Sequence, residues 1–157
     1  MSSTIRRFAQ ALALGSAVLG AMLATGCASS ATTLRFQCDR EVNGGTLLTV
    51  DVVRGSEADV RRIRELGEKW FYDSSRSSLG DRIRTVTFPT LDPVTNRCES
   101  TVQIPAPKED SYLVVVADYK YESTRPNGRI LVFSKKEWKG KNLAIGVHDK
   151  DLSQEKR

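Results

Sequence analysis

Few side chains in this sequence could carry out catalysis. His148 is the only histidine, and the chain has no Gly-x-Ser-x-Gly motif, so no serine nucleophile is paired with a base. Two pairs of closely spaced acids, Asp118 with Glu122 and Asp149 with Asp151, have side chains suited to acid–base work on a glycosidic bond. Such pairs also arise freely at the loop ends of strand-rich proteins. We therefore expect a protein that is not an enzyme and that needs no cofactor.

Cys27 lies at the end of a segment with the features of an export signal. Two arginines near the N-terminus precede an apolar run over residues 8–24, which contains no acid. The Gly26-Cys27 junction resembles the bacterial lipobox, at which the signal is cleaved and the new N-terminal cysteine is acylated, for example with palmitate. A single membrane-spanning anchor is the alternative, but the run is short and broken by glycine. Because Ala28 and not Asp follows the cysteine, the enteric sorting rule favours the outer membrane, with the protein facing the periplasm.

The other two cysteines, Cys38 and Cys98, form an even pair once Cys27 is acylated. In an oxidising periplasm we expect them to form a disulfide. Such a bond would close a loop of about 61 residues and contribute roughly 4 kcal/mol by the chain-entropy estimate. Two buried free thiols are the alternative. No metal site is expected, because the chain lacks a Cys-x-x-Cys motif and His148 lies in an alternating polar segment as a solvent-facing strand residue.

The charge pattern argues against nucleic acid as a partner. The chain has 24 Lys and Arg residues against 19 Asp and Glu residues. Arg6 and Arg7 leave with the signal, so the mature chain has an excess of three basic residues. Its basic stretches, such as residues 61–64, are interleaved with acids, which is typical of a solvated surface. Residues 43–45, Asn-Gly-Gly, lack the lysine and the following helix of a phosphate-binding loop, so we expect no small-molecule substrate.

Apolar periodicity predicts one helix, near residues 57–72. Ser56 is a suitable N-cap, and apolar residues then recur at three- and four-residue spacing: Val60, Ile63, Leu66, Trp70 and Phe71. Gly67 weakens this helix by about 1 kcal/mol relative to Ala. The Ser-rich stretch over residues 73–80 is predicted to be a loop. The apolar stripe is expected to pack on the core.

Seven segments have the length and pattern of strands. They cover residues 34–38, 46–53, 82–88, 99–104, 112–119, 129–134 and 142–148. Most of them follow one another at about ten-residue spacing with Pro, Gly and Asn between them, which favours an antiparallel β-sandwich with the helix as an insertion. Residues 112–117 are apolar at nearly every position, so we expect a central strand covered by the other sheet and by the helix.

These predictions divide the chain into four parts. Residues 1–26 form a lipoprotein signal peptide, and residues 27–33 form a lipidated tether of small and polar residues. Residues 34–152 form the sandwich domain, and residues 153–157 are a polar tail.

The order of these elements resembles a known family, the outer-membrane lipoprotein of the type VI secretion system (the TssJ type). Residues 43–53 resemble the family's Gly-containing first loop and second strand, and residues 112–119 its Val-Val-Ala-x-Tyr strand. Trp70-Phe71 and Leu79-Gly80 resemble its aromatic helical segment and the Leu-Gly that follows. The resemblance implies a transthyretin-like β-sandwich of about seven strands with one inserted helix.

The resemblance also implies a structural role with no catalysis. Acyl chains on Cys27 would hold the protein in the outer membrane, and sandwich loops would bind the periplasmic part of an inner-membrane secretion subunit. The family's partner contact maps here to the loop between the first two strands, which contains Asp39, Arg40, Glu41, Val42, Asn43, Gly44 and Gly45. The residues of this loop are equally typical of an ordinary hairpin turn. An unrelated periplasmic lipoprotein that acts as a binding or envelope-assembly module is the alternative function.

Overall fold

The computed structural model describes residues 31–39, 41–89, 98–105, 109 and 111–155. The predicted signal peptide, the acylation site Cys27 and the loop residue Arg40 lie outside these residues. Eight strands are present in the described chain: β1 Thr32–Cys38, β2 Leu48–Gly55, β3 Ile83–Phe88, β4 Glu99–Ile104, β5 Tyr112–Ala117, β6 Ile130–Ser134, β7 Asn142–Val147 and β8 Leu152–Glu155. The helices are α1 Glu57–Leu66, α2 Ser74–Ser78 and α3 Lys135–Trp138.

The strands form two four-stranded sheets that pack as a sandwich. One sheet has the order β4-β1-β7-β8 and the other β3-β2-β5-β6. All neighbouring strands are antiparallel except β1 and β7, which are parallel. The fold is thus mainly β, and the predicted sandwich with an inserted helix is confirmed.

The strands extend further than predicted at both ends of the domain. Strand β1 starts at Thr32, inside the predicted tether, because Thr32 is fully buried and its hydroxyl donates to the Trp138 carbonyl (2.7 Å). Strand β8 ends at Glu155, inside the predicted tail. An eighth strand was therefore missed, since Leu152 is its only apolar residue and offers no alternation to detect.

The main core lies between the two sheets. Strand β5 contributes alternate residues to two hydrophobic clusters on its two faces. Leu113 and Val115 pack between the sheets, whereas Val114 and Val116 pack on the opposite face of their sheet. That second face is covered by α1 and the residues after it. The predicted central strand with two covered faces is confirmed.

The helical insertion is more broken than predicted. Helix α1 begins at a Ser56 capping box and ends at Leu66, because Gly67 takes a left-handed φ of 54°. The chain continues as a 3₁₀ turn over Gly67–Tyr72. The prediction of a loop at residues 73–80 was wrong, because Asp73 accepts a hydrogen bond from the Ser75 amide and starts the short helix α2.

A buried carboxylate fixes this insertion to the sheet. Asp51 on β2 has no exposed side-chain surface and receives four hydrogen bonds. Arg76 donates twice, from Nε to Oδ2 (2.6 Å) and from Nη2 to Oδ1 (3.0 Å), and the Trp70 indole donates to Oδ2 (3.1 Å). The Thr85 hydroxyl donates to Oδ1 (2.7 Å). The charge of Asp51 is thus paired and fully hydrogen-bonded, as a buried carboxylate requires.

Both hydrophobic clusters are built from residues between Leu34 and Leu152. A soluble form of the chain that starts at Ala28 therefore keeps every core contact. Among the residues described, no helix has the length and apolar character to span a bilayer.

Candidate functional site

Three connections meet at one end of the sandwich. Strand β1 ends at Cys38, and β7 runs parallel beside it and ends at Val147. Strand β2 starts at the same end, and β5, antiparallel to β2, finishes beside it. The β1–β2 connection (39–47), the β5–β6 connection (118–129) and the β7–β8 turn (148–151) are therefore neighbours, and together we name them the three-loop surface.

Asn43 links all three connections. Its side-chain Nδ2 donates to the Leu47 carbonyl within its own loop (3.0 Å), and its Oδ1 accepts from the Lys120 amide (2.7 Å). Its backbone amide donates to the Asp149 carbonyl (3.1 Å). Asn43 is buried and has a left-handed φ of 55°, a conformation that Asn tolerates better than most residues. The loop is therefore held at its centre by a satisfied polar group.

The glycine after Asn43 is required by close packing. Gly44 has a φ of 62°, and a Cβ at this position would lie 2.8 Å from the Tyr121 ring. Its amide donates to Asp149 Oδ1 (2.7 Å). A side chain here would push Tyr121 away from the loop, so the Asn-Gly pair both shapes the turn and seats the aromatic ring.

Two apolar side chains are exposed on this otherwise polar surface. Leu47 is 72% exposed and Tyr121 is 43% exposed; Tyr72, on the helical insertion, is the other exposed large hydrophobic residue of the described chain. The ammonium groups of Lys120 and Lys150 lie 5.4 and 5.8 Å from the Tyr121 ring centre. Apolar anchors framed by charge are typical of protein-binding surfaces.

The predicted partner-binding loop divides into exposed and buried residues. Asp39, Glu41, Gly44 and Gly45 are exposed, whereas Val42 packs in the main core with 1% exposure. Val42 and Asn43 are therefore placed to shape the loop rather than to touch a partner. Sequence reasoning missed Leu47, although the Leu47-Leu48 pair breaks the strand alternation and marks one leucine as pointing outward. It also missed Tyr121, since its position relative to Gly44 depends on the fold.

His148 was predicted to face solvent on a strand, and this was wrong. It follows β7, is half-buried, and has Nδ1 3.0 Å from Asp39 Oδ2 and Nε2 2.8 Å from Ser153 Oγ. These are the distances of a Ser-His-Asp triad, but the Ser153 hydroxyl donates to Glu155. The hydroxyl proton is therefore directed at a carboxylate and not at His148, opposite to what an attacking serine requires. The arrangement fastens the start of the β1–β2 connection to β7 and β8.

A disulfide lies at the base of the same loop. Cys38 and Cys98 are bonded, with Cα atoms 5.2 Å apart, and the Cys38 amide donates to the Cys98 carbonyl (2.9 Å). The structure thus contains the predicted bond, which joins the end of β1 to the residue before β4. No group of three or more metal-ligating side chains occurs among residues that the structure describes.

The far side of the surface is held by an ion pair and a buried phenol. Arg125 Nε donates to Asp151 Oδ2 (2.8 Å), and this hydrogen bond holds the pKa of Asp151 below its ordinary value. The Tyr119 hydroxyl donates to the Asp151 carbonyl (2.6 Å), and burial raises the pKa of Tyr119. Tyr119 therefore stays neutral as a donor, and the β5–β6 connection is tied to the β7–β8 turn at two points.

Two stacked four-stranded sheets, with a helical insertion on the outer face of one, define the structural class. Solved structures that share this fold include proteins of type VI secretion systems. Serratia marcescens Lip, described as a membrane bound component of the Type VI Secretion System, matches with a TM-score of 0.57 and 17% identity, over 82% of this chain and 98% of that chain. The T6SS lipoprotein TssJ1 from Pseudomonas aeruginosa matches with a TM-score of 0.57 and 15% identity, over 81% of this chain and 95% of that chain.

A third match is a chain in the structure described as T6SS protein TssM C-terminal domain (869-1107) from EAEC, with a TM-score of 0.61 and 12% identity, over 81% of this chain and 98% of that chain. No family model and no curated protein matches the sequence. At these identities the likeness establishes a shared fold, which is the fold that the sequence resemblance implied.

Proposed function

We propose that this protein is an outer-membrane-anchored structural lipoprotein of a type VI secretion membrane complex. Its three-loop surface would dock the periplasmic part of an inner-membrane subunit. The shared fold with secretion-system lipoproteins supports the class, and the export signal with its Gly26-Cys27 junction supports the anchor. The observation that carries the docking role is a surface of three interlocked loops that exposes Leu47 and Tyr121.

The direction of β1 supports this role. The chain enters the sandwich at Thr32 and reaches the three-loop surface after Cys38, at the other end of a seven-residue strand about 20 Å long. An acyl group on Cys27 would therefore lie near one end of the domain, and the docking surface at the opposite end. Such a protein can be held in the outer membrane while its loops face a partner that comes from the inner membrane.

The anchor is tested by replacing the acylated residue. Cys27→Ser should leave unlipidated precursor or soluble protein, because acyl chains supply the membrane affinity. Detergent phase partitioning of cell extracts measures this directly. Unchanged partitioning of Cys27→Ser into the detergent phase would contradict the proposal.

The docking surface is tested with the soluble form that starts at Ala28. We expect it to bind the recombinant periplasmic region of the inner-membrane subunit, and we expect Leu47→Ala with Tyr121→Ala to weaken binding at least about tenfold. Tyr72→Ala is the matched control, because it removes an aromatic ring from the helical insertion that is more exposed than that of Tyr121. Circular dichroism and thermal unfolding verify that each variant is folded.

Charge reversal at Asp39, Arg40 and Glu41 tests the loop predicted from the sequence. It should weaken binding by breaking contacts that shape this loop, such as Asp39 with His148, while the sandwich stays folded. If binding survives every one of these changes, the contact lies elsewhere, for example on the insertion near Tyr72. If the unmodified domain does not bind, the unrelated-lipoprotein alternative is favoured. Gene neighbourhood gives an independent check, since a secretion subunit should be encoded among sheath, baseplate and inner-membrane-complex genes.

A further inference from the structure

We infer that the segment docked by the three-loop surface is acidic and carries an apolar residue at its centre. The inference rests on the proposed docking function and adds the chemistry of the partner. Two neighbouring features carry it: a pair of lysines around Tyr121, and an arginine-lined groove beside the same β5–β6 connection.

The lysine pair frames the apolar centre of the surface. Lys120 and Lys150 are both exposed, lie on different connections, and place their ammonium groups 5.4 and 5.8 Å from the same Tyr121 ring. Neither makes an ion pair within the described residues. A partner that covers Tyr121 must therefore come close to two positive charges that this chain leaves unneutralised.

The groove continues the positive surface along the same connection. It encloses about 310 Å³ between the end of α1 and residues 122–130, and its charged lining consists of Arg64, Arg125, Arg129 and a single acid, Glu122. The Arg129 side chain is 15% exposed, and its buried Nη1 donates no hydrogen bond to the described residues. Its nearest carboxylate oxygen, on Glu68, lies 3.9 Å away, beyond hydrogen-bond length.

Most acidic side chains near the lysine pair and the groove already interact with other groups of this chain. Asp151 accepts two hydrogen bonds from Arg125, and Asp149 accepts from the Gly44 amide. The half-buried Asp118 neutralises part of the Arg129 charge, and burial raises its pKa. Lys120, Lys150 and Arg64 are thus the charges most available to a partner.

These cations should attract the carboxylates of a partner to the area around the apolar contact, and salt should weaken this attraction. Leu47 and Tyr121 supply the buried anchor, while the surrounding cations select an acidic segment and repel a basic one. This specificity differs from simple apolar docking, which salt does not weaken.

The test compares two charge reversals of equal size in the soluble form from Ala28. Lys120→Glu with Lys150→Glu changes the three-loop surface, whereas Lys136→Glu with Lys139→Glu makes the same change on and just after α3, at the opposite end of β6. We expect the first pair to weaken binding of the periplasmic region of the inner-membrane subunit about tenfold and the second to leave it within about twofold. Arg64→Glu should weaken it by about threefold through the groove.

Salt gives a second readout that does not depend on any variant. Affinity of the unmodified domain should fall as salt rises from about 50 to about 500 mM, because the Debye length shortens across this range. The fall should be much smaller for the Lys120→Glu, Lys150→Glu pair. Two results together would overturn the acidic-segment inference while leaving the docking function intact. The Lys120→Glu, Lys150→Glu variant would bind as tightly as the unmodified domain, and salt would not weaken binding of the unmodified domain.

If the unmodified domain fails to bind the subunit, the docking function is wrong, and a different probe decides the inference. An NMR titration with a synthetic peptide of repeated Glu residues around one Trp should then shift the amide signals of Leu47, Lys120, Tyr121 and Lys150. Absence of shifts at about millimolar peptide, or equal shifts with a Lys-for-Glu peptide, would overturn it.

Discussion

Single buried residues determine the shape of the three-loop surface. Asn43 is small, buried and polar, and it forms hydrogen bonds within its own loop and to both neighbouring connections, at Lys120 and Asp149. Replacing it by glycine keeps the left-handed backbone but removes the side-chain bonds to Leu47 and Lys120. We expect Asn43→Gly to lower the free energy of unfolding by about 1 kcal/mol, because two part-buried backbone groups lose their partners. Urea unfolding measures this change.

Asn127 provides the matched control for that experiment. It also has a left-handed φ, 57°, but it is exposed and no side-chain hydrogen bond is seen. Asn127→Gly should therefore change the free energy of unfolding by less than about 0.5 kcal/mol. Equal effects of the two substitutions would show that backbone conformation alone, and not the Asn43 hydrogen bonds, sets the stability of the loop.

Asp73 controls the acid side of the stability profile. Hydrogen bonds from Ser75 and Arg62 lower its pKa to about 2, below the ordinary value of 3.8. A lowered pKa means that the ionised form stabilises the fold above the unfolded value, and that this contribution is lost as the pH falls through about 2. Asp73→Asn should therefore flatten the loss of stability between pH 3.8 and about 2. Unfolding free energies measured across that range test it, and an unchanged slope would contradict it.

At the scale of elements, the main question is how the insertion is held on its sheet. Arg76 on α2 and Asp51 on β2 pair at 2.6 Å, and the Asp51 side chain is fully buried. Arg76→Met should destabilise the fold by about 3 kcal/mol, because a buried carboxylate loses its counter-charge. The hydrogen bond to Asp51 also raises the pKa of Arg76, so the guanidinium stays charged at any ordinary pH.

A double-mutant cycle separates this pair from the other bonds to Asp51. Asp51→Asn should cost less stability in the Arg76→Met background than in the unmodified chain, because there it also removes the buried charge that Arg76→Met leaves without a partner. Thermal and urea unfolding of the four proteins give the coupling energy. Strict additivity would show that Trp70 and Thr85 alone hold Asp51 and that the Arg76 contact contributes nothing.

The elements also show which parts of the fold a sequence can predict. Seven strands follow from local alternation and turn residues, and the start of α1 follows from Ser56 and its first-turn acids. Strand β8 could not be predicted from its one apolar residue, and α2 was hidden in a serine-rich stretch whose cap is Asp73. The parallel pairing of β1 with β7 depends on contacts more than 100 residues apart, such as Leu34 with Leu143.

The same limit applies to the candidate site. The sequence identified the β1–β2 connection and the Cys38–Cys98 bond, because turn residues and cysteine counts are local or compositional signals. The partners of Asn43, by contrast, lie 77 residues away at Lys120 and further still at Asp149. The Asp39–His148 contact spans 109 residues. Such contacts come from topology, so no local pattern shows them.

For the whole molecule, the central feature is that the two ends of the domain differ. Thr32 and α3 lie at the end where the chain emerges from the predicted tether, and the three-loop surface lies at the other end. Between them is a sandwich whose core is closed on both faces of the β5 sheet. In the proposed function, the lipid anchor would lie at one end of this sandwich and the partner at the other.

Photo-crosslinking in cells tests the docking claim most directly. A benzoylphenylalanine at position 47 would present its reactive group on the three-loop surface, where Leu47 is 72% exposed, whereas one at position 136 would lie on α3 at the opposite end. On irradiation of cells that express the secretion system, we expect an adduct between the position-47 protein and the inner-membrane subunit, and no such adduct from position 136. A membrane-bound position-47 protein that forms no adduct, or equal adducts from both positions, would contradict docking through the three-loop surface.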